Sequence, residues 1–94
     1  MKAGDLLRSV ADLVDAPRAA QHGDMRICHK NIATFWNIFL AMRRDPLAPL
    51  EPADVATMMA LLKIARTQTG ADNPDDLFDA AGYIAIAAEL NDAE

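Results

Sequence analysis

Ninety-four residues, 52% of them apolar but only 5% aromatic, make one small domain spanning residues 1–94, with a formal net charge of −5. The acidic balance excludes a binder of duplex DNA or RNA, which needs a basic footprint, but not a binder of single nucleotides, whose phosphates a few local cations or a metal can hold. Cys28 is the only cysteine, which excludes an intrachain disulfide and a cysteine zinc cage; no uncharged run has the length of a membrane span and the first residues lack a signal-peptide core, so the expected compartment is the reducing cytoplasm.

Leu6, Leu7, Val10, Leu13 and Val14 recur at helical spacing and predict a first helix over about Asp5 to Asp15. Pro17 and the polar stretch Arg18 to Gly23 end it. A second helix starts near Asp24, placed as an N-cap, and carries Ile32, Phe35, Trp36, Phe39 and Leu40 on one face, with His29, Lys30 and Asn37 turned elsewhere. The aromatic group is expected in the core rather than as a base-stacking platform, and Cys28 is read as structural. Arg43 to Pro49, with two prolines, is a connection. Pro52 suits the first turn of a third helix that runs to about Gln68, with Gly70 as its stop. Asn73-Pro74-Asp75-Asp76 is the clearest start signal in the chain: a cap, a first-turn proline and two acids at the positive end of the helix dipole. The fourth helix reaches about Leu90. With no alternating strand pattern, the class is all-α, a compact four-helix domain. Small size and alanine-rich helices favour self-association, since a second copy adds buried area.

Two of these helices carry charges in unusual surroundings. Val55 to Ala65 has only Thr57 and Lys63 as polar side chains, and Ala80 to Ala88 has no charge. Helices apolar all round are buried on several sides, inside a domain or at a subunit contact. Lys63 is therefore expected near the interior, with Arg66 one turn along the same face. A lysine in such surroundings must be paired. Asp76 and Asp79, three apart on the next helix, are the available partners, with the Tyr83 hydroxyl nearby. On a helical wheel, however, the two acids point away from the stripe of Leu77, Ala81, Ala85 and Ala88, and first-turn acids are common through the dipole alone. Two readings stand: a structural ion-pair network or solvated helix end, or two carboxylates that hold Mg²⁺. At the second helix start, the amides with Arg26, His29 and Lys30 make a candidate phosphate site, which Asp24 opposes unless a metal intervenes. His22 and His29 lack the spacing of a helical zinc pair.

Gln21-His22-Gly23-Asp24, the aromatic helix to Trp36, Asp54-Val55 leading into Met58-Met59-Ala60-Leu61-Leu62-Lys63-Ile64-Ala65-Arg66, and Asp76-x-x-Asp79-Ala80-Ala81-Gly82-Tyr83 together resemble a family of short phage and prophage proteins. That family in turn is similar to the MazG-type all-α nucleoside triphosphate pyrophosphohydrolases. The resemblance implies a MazG-like helical domain that forms a homo-dimer or higher homo-oligomer and cleaves a nucleotide to its monophosphate and pyrophosphate. Mg²⁺ in those enzymes is held by Glu-x-x-Glu on one helix and Glu-x-x-Asp on the next. Asp76 and Asp79 match the second pair. Glu51-x-x-Asp54 has the spacing of the first pair, but Pro52 puts it at a helix start, and the middle of that helix offers methionine and leucine. By this resemblance Asp76, Asp79, Asp54 and Glu51 are the metal candidates. Lys63 and Arg66 would neutralise charge on the phosphate, and His29 or Lys30 would assist. The expected function is thus a Mg²⁺-dependent nucleotide pyrophosphohydrolase or nucleotide binder. The competing class is a non-catalytic phage accessory or interaction module in which the charged cluster only holds the helices.

Overall fold

The computed structural model describes residues 1–15 and 23–92 of the chain. They form four helices, α1 (Ala3–Asp15), α2 (Met25–Met42), α3 (Pro52–Arg66) and α4 (Pro74–Asp92), and no strand. The all-α expectation holds, with helix ends within about two residues of those read from the sequence. Pro17, Gln21 and His22 lie outside the described residues.

The caps do what their side chains predict. Asp24 has extended backbone, and its carboxylate accepts from the Arg26 amide at 2.8 Å, satisfying a donor that the first turn of α2 leaves open. Asn73 accepts from the Asp75 amide at 3.1 Å at the start of α4, just ahead of Pro74. Gly23 and Gly70 both have positive φ, 74° and 71°. They also meet: a Cβ on Gly23 would lie 2.6 Å from the Gly70 amide nitrogen. The start of α2 is thereby seated against the connection between α3 and α4.

α3 is the middle helix, packed on α2 along one side and more extensively on α4 along the other. Against α2, the core consists of Cys28, Ile32 and Ala65, with Trp36 and Leu62 packed on it. Trp36 fixes the register of this pair by donating its indole Nε1–H to the Met58 carbonyl at 2.7 Å. Against α4, the buried residues are small: Ala56 and Ala60 on α3, Ala80 and Ala87 on α4. Alanine lets the two axes approach closely but removes little apolar area per residue.

One expectation is reversed. The stripe Leu77, Ala81, Ala85 and Ala88 does not face the interior; these residues are exposed, and Asp76 is buried at 3% exposure. α4 turns Asp76, Ala80, Tyr83 and Ala87 inward instead. This rotation sets Asp76 and Asp79 against the cations of α3, on a helix whose apolar content is spread all round.

Candidate functional site

The structure brings Lys63 and Arg66 of α3 against Asp76 and Asp79 of α4. Lys63 Nζ lies 2.9 Å from Asp79 Oδ2, and Arg66 Nε lies 3.6 Å from Asp76 Oδ1. The pairing order is reversed along the two helices, as antiparallel neighbours require. The inner pair is the more secluded, with the Asp76 side chain 4% exposed against 43% for Asp79. At 3.6 Å the Arg66–Asp76 contact is electrostatic and longer than a good hydrogen bond. Asp76 also sits in the first turn of α4, where the helix dipole favours a carboxylate. In the Lys63–Asp79 pair the acid reaches water while the Lys63 side chain is only 17% exposed. Tyr83 is half-buried on the inward side of α4.

The other candidates lie elsewhere. Glu51 and Asp54 mark the start of α3, with Asp54 twelve residues and about 18 Å of helix from Arg66. Asp54 Oδ2 accepts from the Glu51 amide at 2.9 Å, so its first duty is to cap α3. The same oxygen accepts from Arg43 Nη2 at 3.1 Å. Arg43 in addition donates to the carbonyls of Ala48 at 2.9 Å and Pro49 at 3.0 Å. One nearly buried guanidinium thus clamps the whole α2–α3 connection to the start of α3. The sequence reading places Arg43 in a connection and gives it no role. Its only signal is an arginine between a helix end and an acid at a helix start.

His29 stays on its own helix, where Nδ1–H donates to the Met25 carbonyl at 2.7 Å. Lys30 is exposed. Asp24, raised as a substitute metal ligand, is occupied as the cap of α2 and paired with Arg26 at 3.3 Å. The Arg26 side chain and then the Arg26 amide hold its carboxyl below the usual carboxylate value of 3.8.

The Mg²⁺ site implied by the resemblance does not fit this arrangement. Among the described residues no three His, Cys, Asp or Glu side chains gather. Asp76, Asp79 and Asp54 each face a cation already. A hard dication needs uncompensated oxygen ligands around a common point, and these carboxylates supply neither condition.

No described helix is long and apolar enough to cross a membrane. Residues 5–91 match DUF6378, a domain of unknown function. The chain is 34% identical over 85 residues to the Gene 55 protein of Mycobacterium phage L5, a match covering 90% of the chain and 51% of that protein. The chain therefore spans about half the length of this relative. No solved structure matches it.

Proposed function

The chain belongs to the DUF6378 family, and we propose that it is a non-catalytic accessory module of phage origin, self-associating and acting through protein contacts, whose charged cluster fastens α3 to α4. The observation that carries this reading is that both acids already face a cation: Asp76 faces Arg66, and Asp79 faces Lys63. MazG-type enzymes place two carboxylate pairs on neighbouring helices and bridge them with Mg²⁺. Here Lys63-x-x-Arg66 and Asp76-x-x-Asp79 have the same i, i+3 spacing on neighbouring antiparallel helices, but one pair is cationic. The MazG-like fold and this correspondence are part of the proposal. On this reading, built-in cations do the neutralising that the metal does in those proteins, and the framework is kept for its shape.

A nucleotide-binding role, with or without pyrophosphate release, is the second reading. It is favoured by the position of the outer pair at the rim: the Asp79 side chain is 43% exposed against 17% for Lys63, so a phosphate that competes with Asp79 for Lys63 need not open the Arg66–Asp76 contact. Thermal unfolding against a panel of nucleotides and deoxynucleotides, with and without Mg²⁺ or Mn²⁺, separates the two. A ligand that binds only the folded chain raises the melting temperature by mass action. The accessory-module reading expects no shift at millimolar ligand. A shift that requires both a metal and one class of nucleotide overturns it in favour of the second.

A further inference from the structure

We draw no further inference here: the strongest candidate, the open apolar notch between α2 and α3 that Asn31, Thr34, Phe35, Ala65 and Gln68 line, carries nothing because nothing in the structure shows what covers it.

Discussion

At the scale of single residues, two glycines make opposite demands. A Cβ on Gly82 would meet nothing within 4 Å, and the residue lies inside a helix. Gly82→Ala should stabilise the chain by about 0.5–1 kcal/mol, since it removes the backbone freedom that glycine loses on folding. Gly23→Ala should destabilise it by more than about 1 kcal/mol, because φ is +74° and the new Cβ would strike the Gly70 backbone. Urea midpoints of the two variants give both signs. Asp24 adds a pH signature. Its carboxyl is held below the usual 3.8, first by the Arg26 side chain, so the ionised form favours the folded state. That contribution is present above 3.8 and lost as pH falls through the lowered folded value. Asp24→Asn keeps a capping acceptor but does not titrate. Melting curves below pH 4 should therefore show wild type losing stability relative to this variant.

Among the helices, start signals are legible in the sequence and rotations are not. Asp24, Pro52 and Asn73-Pro74 mark the starts because a cap is a local event, read from one or two side chains. The face that α4 turns inward is not local. Its apolar residues run all the way round, so periodicity offers the stripe Leu77–Ala81–Ala85–Ala88 as readily as any other. The observed rotation sets Asp76 and Asp79 against the cations of α3, and that information sits on a different helix. The Lys63–Asp79 and Arg66–Asp76 pairs themselves are legible, since an isolated cation on an apolar helix must find an acid. The Arg43 clamp is not, because two of its three partners are loop carbonyls. Arg43→Met would leave those carbonyls and Asp54 without their donor, and should cost about 2–3 kcal/mol in chemical denaturation. Arg43→Lys should recover only part of this, since an ammonium cannot span three acceptors as the guanidinium fork does.

For the whole molecule, the account is of one middle helix held on two sides, with few large side chains inside and an apolar face left outside. The three packed helices derive their cohesion from alanine contacts, a tryptophan hydrogen bond and charge pairs rather than from a thick core. With so little large apolar area inside, breaking the inner charge pair on one side only should be costly. Catalytic constellations, by contrast, are commonly held at a cost to stability, so that neutral replacements stabilise the fold. The direct measurement is the urea unfolding free energy of Arg66→Met, beside that of Arg66→Met combined with Asp76→Leu. The single change leaves a buried carboxylate without this counter-charge and should cost about 2–4 kcal/mol, tempered by the helix-start position of Asp76; the double change should recover most of that loss. An Arg66→Met variant as stable as wild type, or more stable, would contradict the claim that this cluster exists to hold α3 against α4.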